Sequence, residues 1–272
     1  MPSTSLPRGR LPAGVTRGLW DYVHSKPIAS DYDAFFASNR LFQFDKQIIL
    51  QELNQNRLAP GSIVADLGCG TGRAVVALAE QGYRGLAVDL SSGMLEIVHE
   101  KAKERGLSID CVQANLVQLD CVQDRSVDAA VCLFSTVGMI RGRANRHRAL
   151  SHIHRILRPN GTFVLHVHNY WYNLYDPGGP WWVLAGYARA LFDDQLEPGD
   201  KFFSYRGIPN MFLHVFSHCE IQRDLRQAGF RIDRVISLDP RRHRELRWPR
   251  LLGPLRANGW ILVASAKTLS RG

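Results

Sequence analysis

The stretch with the clearest chemical potential is a glycine-rich loop in which Gly68, Gly70 and Gly72 stand at alternate positions. A glycine lets the backbone turn sharply and approach a ligand where a Cβ atom would collide. The apolar run 63–67 before the loop predicts a strand, and the residues after it predict a helix over about 71–81. The first turn of such a helix presents unpaired N–H groups. The sequence therefore predicts a binding site for a polar ligand at this loop.

A carboxylate follows the loop at a suitable distance. Asp89 closes the second predicted strand, 17 residues after Gly72. A carboxylate in that place can accept hydrogen bonds from both hydroxyls of a ribose. A dinucleotide-binding fingerprint would have its third glycine at position 73, where this chain has Arg73. The pattern therefore argues against an NAD or FAD site.

Three histidines are candidates for a catalytic base or for acceptor binding. His166 and His168 share one face of the fifth predicted strand, because alternate residues of a strand point to the same side. His168 is the first choice, since it lies at the carboxyl end of that strand, where open α/β sheets bind ligands. His218 lies at the start of a late helix. The alternatives are packing or surface histidines, or a histidine-rich metal site; we expect no metal, because no acidic partner accompanies these histidines.

The elements that must position these residues alternate between short apolar runs and helical periods. The predicted strands are 63–67, 86–89, 109–114, 128–134, 162–168, 230–238 and 260–266. Continuous apolar strands separated by helices indicate a parallel sheet that is covered on both faces. Residues 1–18 are rich in Pro, Gly and Arg and are expected to be disordered, and 19–58 to form two N-terminal helices. The main domain is expected over 59–272, with an insertion at 170–213.

At this point the chain resembles a family, the class I S-adenosylmethionine-dependent methyltransferases. Asp66-Leu-Gly-Cys-Gly-Thr-Gly72 resembles the first motif of that family, and Asp89 its ribose-binding acid. The resemblance implies a Rossmann-like, seven-stranded, mostly parallel α/β sheet with an antiparallel last strand and helices on both faces. It also implies S-adenosylmethionine as the cofactor. The implied cofactor-binding residues are Asp66, Gly68, Cys69, Gly70, Gly72, Asp89, Leu90, Asn115, Leu116 and Leu133.

The mouth of the predicted sheet is basic and aromatic. The segments 141–175 and 240–256 together carry a charge of +11, against +9 for the whole chain, and the arginine-rich parts 141–148 and 240–256 each follow the end of a predicted strand. The insertion 170–213 holds 12 of the 26 aromatic residues and is expected to act as a lid. Its aromatic residues either form a small core of their own or line an acceptor pocket. Arg143, Tyr170, Tyr172 and Arg242 are the candidates for acceptor binding.

These features predict a methyltransferase that acts on a small, aromatic or anionic molecule by direct in-line transfer. One alternative is an RNA methyltransferase of the tRNA type, because aromatic and arginine side chains could also hold an extruded base and its phosphates. A second alternative is an inactive module that binds S-adenosylmethionine. We expect neither DNA nor a membrane as partner, since no apolar run approaches the ~18 residues that a membrane span requires. A cytoplasmic location is expected, since the N-terminus has no apolar signal region.

Overall fold

A seven-stranded sheet organises the chain in the computed structural model, which describes residues 11–36, 41–193 and 196–267. The strands are Ile63–Leu67 (β1), Arg84–Asp89 (β2), Ile109–Gln113 (β3), Val127–Cys132 (β4), Leu157–His168 (β5), Asp200–Tyr205 (β6), Ile208–His214 (β7), Phe230–Ser237 (β8) and Gly259–Ala266 (β9). The order in the large sheet is β3-β2-β1-β4-β5-β9-β8, while β6 and β7 form a separate hairpin. Within the large sheet, β9 is antiparallel to both of its neighbours, and all other neighbouring strands are parallel. This arrangement confirms the predicted architecture.

Helices cover both faces of this sheet. They are Arg17–Val23 (α1), Lys26–Phe36 (α2), Leu41–Gln55 (α3), Arg73–Ala79 (α4), Ser92–Arg105 (α5), Arg143–Ile156 (α6), Gly179–Phe192 (α7), His218–Gln227 (α8) and Gly253–Arg256 (α9). Short 3₁₀ turns occupy Leu116–Gln118, Thr136–Met139 and Trp171–Tyr175. On one face α6 and α8 pack against Phe163 of β5, and on the other α3 and α4 pack against Val164. Successive β5 side chains enter two different cores, which explains the apolar run Phe163–Leu165.

Polar caps fix the starts of two helices. The Ser91 hydroxyl accepts from the Met94 N–H at the start of α5. At the start of α8, Ser217 and Glu220 form the reciprocal capping box of their side chains and backbone N–H groups. Each cap satisfies N–H groups that have no partner inside the helix, so both starts follow from local chemistry.

The N-terminal segment differs from its prediction. Residues 1–10 lie outside the described part of the chain, but 11–18 are ordered rather than disordered. The Asn115 side-chain amide donates to the Ala13 carbonyl at 2.9 Å, and the Arg141 N–H donates to the Gly14 carbonyl at 2.8 Å. Gly14 adopts φ +75°, which turns the backbone against Ile140. Tertiary contacts hold this segment in place, and such contacts cannot be predicted from composition. The N-terminal region also contains three helices, α1 to α3, instead of the predicted two.

The insertion 170–213 forms a 3₁₀ turn, helix α7 and the β6–β7 hairpin. Tyr170 is buried, packs with Val183 and Val215, and donates its hydroxyl to the Val183 carbonyl at 3.3 Å. Part of the aromatic content therefore forms a small core of its own. No helix of the described ranges is both long and apolar enough to cross a membrane.

Candidate functional site

The three glycines of the loop have different roles, all at positive φ. A Cβ atom on Gly68 would lie 2.3 Å from the Thr136 side chain, and one on Gly72 would lie 2.8 Å from Val98. These two positions require glycine because the protein packs closely against them. A Cβ atom on Gly70 would lie 3.7 Å from the Tyr32 ring, an ordinary van der Waals contact, and Gly70 lines the cavity beside Asp89. Gly70 is therefore the position where glycine leaves room for a ligand.

Asp89 holds the loop and faces the same space. One carboxylate oxygen accepts from the Gly70 N–H at 2.8 Å, and the other accepts from the Ser91 N–H at 2.9 Å. A carboxylate offers about four lone-pair sites, so it can accept further hydrogen bonds from a ligand. Burial raises the pKa of Asp89 above its usual range, although the backbone N–H groups act in the opposite direction.

Asp66 is a second buried acid at the end of β1. It is 3% exposed and accepts from the Val75 N–H at 3.1 Å. Burial raises the pKa of Asp66 to about 7, while the hydrogen bond from Val75 acts to lower it. A cationic ligand in the adjoining cavity would favour the ionised carboxylate.

One cavity brings the predicted cofactor residues together. It is lined by Asp66, Gly68, Cys69, Gly70, Asp89, Leu90, Asn115, Leu116 and Leu133. Gly72, the tenth predicted residue, does not line it, since Gly72 packs against Val98. The side-chain oxygen of Asn115 accepts from the Val117 N–H at 3.0 Å and keeps one lone pair for a ligand.

The N-terminal helices close this cavity, which the sequence did not predict. Val15, Leu19 and Tyr22 line it from α1 and the turn before it. A Cβ atom on Gly18 would lie 2.4 Å from the Asn210 carbonyl oxygen, so the β6–β7 hairpin packs tightly behind α1. The insertion thus braces a wall of the cavity.

Arg73 is the other functional residue that sequence reasoning missed. It lines the cavity, and its guanidinium carbon lies 5.3 Å from the ring centroid of Tyr32, 4.7 Å from that of Phe42 and 5.0 Å from that of Phe134. A cation in the first turn of a helix is opposed by the helix dipole. That unfavourable placement of Arg73 at the start of α4 was a signal available in the sequence.

A polar cluster adjoins the cavity behind Phe134. The ring of Phe134 lies 6.0 Å from His166, whose Nδ1 lies 2.9 Å from a carboxylate oxygen of Asp45. His166 and Asp45 are fully buried, and His166 Nε2 has no partner among the described residues. Phe134 and Ser135 adopt φ of 51° and 60°, which is strained for side-chain-bearing residues and is typical of functional sites.

His168 belongs to the same cluster. Its backbone N–H donates to the Ser135 hydroxyl at 2.9 Å, and its Nδ1 has no partner among the described residues. Burial lowers the pKa of His168 well below its usual range, and the charges of His166, Arg242 and Lys201 add to this effect. The imidazole is therefore neutral at pH 7, although the same lowered pKa makes it a weaker base than an exposed histidine.

Arg242 interacts electrostatically with Asp45 and His168 of this polar cluster. Burial lowers the pKa of Arg242, whereas Asp45 and Tyr172 act to raise it. Arg242 is therefore within electrostatic range of His168 and Asp45, and Tyr172 is within range of Arg242.

The remaining candidates lie elsewhere. Arg143 pairs with Asp224 at 3.2 Å, and Tyr170 belongs to the core of the insertion. His218 packs against Trp260, whose side chain joins the core on the opposite face of β5 from His166. An arginine or histidine can stabilise the fold as readily as it can bind a ligand. Residue spacing in the sequence did not distinguish the structural role from the binding role.

A buried charge network lies under the insertion. Arg146, fully buried, donates to Glu197 at 2.6 Å, while His214 bonds Asp200 at 2.8 Å and Glu220 at 2.9 Å. Burial alone would lower the pKa of His214, but these two carboxylates raise it above its usual value. The side chains of Glu197, Asp200 and His214 lie close enough together to bind a metal ion. The guanidinium of Arg146, however, already balances the negative charge of the carboxylates. The network joins α6 and α8 to the hairpin.

Comparison with known proteins identifies the domain. Residues 64–161 match the family model described as a methyltransferase domain. The chain is 32% identical over 122 residues to the glycine N-methyltransferase of Mus musculus, covering 41% of this chain and 42% of that protein. It spans about half the length, or less, of the curated relatives that it matches.

Solved structures share the whole fold. A S-adenosylmethionine-dependent methyltransferase from Clostridium acetobutylicum matches with a TM-score of 0.64 at 15% identity, over 89% of this chain and 98% of that one. The 1,6-didemethyltoxoflavin-N1-methyltransferase of Burkholderia thailandensis, solved with its acceptor and S-adenosylhomocysteine, matches with a TM-score of 0.58 at 18% identity, over 89% of this chain and 85% of that one. At these identities the likeness establishes the fold.

Proposed function

The chain carries a class I S-adenosylmethionine-dependent methyltransferase domain, and from this premise we propose that it transfers a methyl group from S-adenosylmethionine to a small anionic or aromatic acceptor. The observation that carries the cofactor assignment is the single cavity in which Asp66, Gly70 and Asp89 meet. The residues fit this cofactor. Asp89 can hold the ribose hydroxyls, Gly70 leaves space beside them, and Arg73 can pair with the carboxylate of the methionine part.

The acceptor would lie on the Phe134 side of the cavity. There the polar cluster of Asp45, His166 and His168 adjoins the cavity wall, with the positive charge of Arg242 close by. A planar acceptor can stack on Phe134, and an anionic group can pair with the guanidinium. The preference for a planar acceptor rests on Phe134 and the preference for an anionic one rests on Arg242, and neither side chain is assigned to the cofactor.

The chain's residues have a limited task in the reaction. When bound, S-adenosylmethionine supplies a methyl group that its sulfonium already activates. Orientation of the acceptor in line with that methyl can contribute roughly 7–11 kcal/mol. If the acceptor loses a proton, neutral His168 can take it at Nδ1, which has no partner among the described residues.

The RNA alternative loses part of its support. The arginines at 141–148 were to hold phosphates, but Arg146 is fully buried against Glu197 and Arg143 pairs with Asp224. A tract of phosphates needs several exposed cations along one path. We therefore favour the small acceptor.

Two measurements test this function. Calorimetry with S-adenosylhomocysteine should show binding, and the absence of binding would contradict the cofactor assignment. Cell-extract fractions incubated with the protein and methyl-labelled cofactor should then yield a small labelled product that ribonuclease does not affect. Label that ribonuclease removes would favour RNA instead, and binding without any transfer would favour an inactive module.

A further inference from the structure

Exposed apolar side chains are concentrated in two segments at one edge of the sheet. Of the twelve large hydrophobic residues exposed in the described ranges, ten lie between 175 and 255 outside the hairpin. They are Tyr175, Trp181, Leu184, Tyr187, Leu191 and Phe192 around α7, and Trp248, Leu251, Leu252 and Leu255 around α9. Scattered exposed apolar residues are normal, but a concentration of this kind marks a surface that contacts something.

Helix α7 has an unusual composition for an exposed helix. Its 14 residues, Gly179–Phe192, include one charged residue, Arg189. Val183 is buried against Tyr170, yet Trp181 is 77% exposed and Leu191 is 81% exposed. A helix that is apolar nearly all round is normally buried. The outer side of α7, however, exposes its apolar side chains to solvent. At 14 residues it is too short to cross a bilayer, which takes about 20.

The second segment adds positive charge. Residues 247–256 read Arg-Trp-Pro-Arg-Leu-Leu-Gly-Pro-Leu-Arg, without an acid. The acids that precede it are engaged, since Glu245 pairs with Arg234 and Asp239 with Arg244. Arg247 and Arg250 are exposed and have no carboxylate partner among the described residues.

Both segments lie at the same edge. β5 and β8 are each antiparallel to β9, so the chain leaves both strands at one end of the sheet. Both segments also touch the 3₁₀ turn Trp171–Tyr175, and the Asn169 amide donates to the Pro254 carbonyl at 2.6 Å. We name the exposed residues of α7 together with 247–256 the apolar–arginine face.

We propose that the apolar–arginine face docks on a lipid bilayer whose headgroups are anionic. Tryptophan and leucine side chains next to arginine suit the boundary between headgroups and acyl chains, where apolar parts insert and guanidinium groups reach phosphates. A short helix lying flat, with almost no charge of its own, completes such a surface. This inference goes beyond the proposed methyl transfer and does not depend on it. It replaces the sequence-based expectation of no membrane partner, which rested on the lack of a spanning segment and not on surface binding.

Vesicle sedimentation tests the proposal with the full chain. The protein should sediment with vesicles of equal parts phosphatidylcholine and phosphatidylglycerol, and much less with phosphatidylcholine alone. Arg247→Glu/Arg250→Glu should weaken binding to the anionic vesicles by at least about thirtyfold, the effect of two basic residues at an anionic surface. Leu191→Glu/Phe192→Glu should reduce it as well, by removing apolar insertion. The matched control, Arg57→Glu/Arg125→Glu, changes two exposed arginines at the opposite edge and should sediment like the wild type.

Three outcomes would overturn the proposal. They are failure of the wild type to bind anionic vesicles, an equal loss in the control variant, or a dimer that Leu191→Glu/Phe192→Glu dissociates. The last would mean that a second copy covers this face. Calorimetry with S-adenosylhomocysteine on the same samples establishes that each variant is folded, and it distinguishes failure of the docking proposal from failure of the proposed function.

Discussion

At the glycine loop the carboxylates of Asp66 and Asp89 line a cavity, whereas under the insertion the charged side chains of Arg146, Glu197 and His214 bind one another. Both sets are buried or partly buried, but only the first faces space that a ligand can fill. Buried charge in the first set therefore serves binding and in the second set serves the attachment of the hairpin. Substitutions should separate the two, because the loop should control ligand affinity and the network should control stability.

The largest effect is expected at Gly70. Replacement by valine would fill the space beside Asp89, and affinity for S-adenosylhomocysteine measured by calorimetry should fall by at least about a hundredfold. Gly106→Val is the matched control, since Gly106 has a similar φ of +62° and nothing within 4 Å of an added Cβ atom. Both variants should lose about 1–2 kcal/mol of stability from backbone strain, but only Gly70→Val should lose binding. Equal affinities would remove the loop from the cofactor site.

Substitutions in the charge network under the insertion should lower stability without lowering cofactor affinity. Glu197→Ala leaves the fully buried Arg146 with Glu220 at 4.0 Å as its remaining carboxylate. Breaking a buried pair in this way should cost about 3 kcal/mol of unfolding free energy in urea. Asp176→Ala removes the exposed pair with Lys201 and should cost less than about 1 kcal/mol. If Glu197→Ala instead weakened cofactor binding at unchanged stability, the division between the two regions would be wrong.

The same division explains what the sequence could predict. Asp66, Gly70 and Asp89 lie within 24 residues and are positioned by β1, β2 and one turn, so strand periodicity and glycine spacing place them correctly. Arg143, Tyr170 and His218 lie away from this cavity because the tertiary fold brings Asp224, Val183 and Trp260 to them, and their roles at the site stay predictions.

The N-terminal wall of the cavity was missed for the same reason. Composition predicts disorder over 1–18, whereas Gly18 packs against Asn210, nearly two hundred residues away in the chain. Contacts of that range leave no local signal. The lid role of 170–213 stays a prediction, and protection of this segment from proteolysis by cofactor and acceptor together would support it.

A smaller effect is expected at Asp89. Asp89→Ala removes the predicted ribose acceptor and also releases the Gly70 and Ser91 N–H groups from their carboxylate partner. Binding of S-adenosylhomocysteine should weaken by about 1.5–3 kcal/mol, the scale for hydrogen bonds to a charged group. Asp233→Ala, at a half-exposed acid paired with Arg231, is the control and should leave affinity unchanged. Wild-type affinity in a folded Asp89→Ala protein would contradict the ribose assignment.

The smallest effect concerns pH and separates affinity from stability within the loop itself. Burial raises the pKa of Asp66 to about 7 in the folded protein, from about 3.8 unfolded. The folded state therefore binds the extra proton, and the stability linked to Asp66 is fully present below about pH 3.8 and is lost as pH rises through 7. Cofactor affinity should change in the opposite direction, because the ionised carboxylate attracts the sulfonium and ammonium groups of S-adenosylmethionine. Affinity measured by calorimetry should rise by up to about tenfold between pH 6 and pH 7 and level off above pH 7. Asp66→Asn should flatten both profiles, and a slope that persists in this variant would assign the proton to another group.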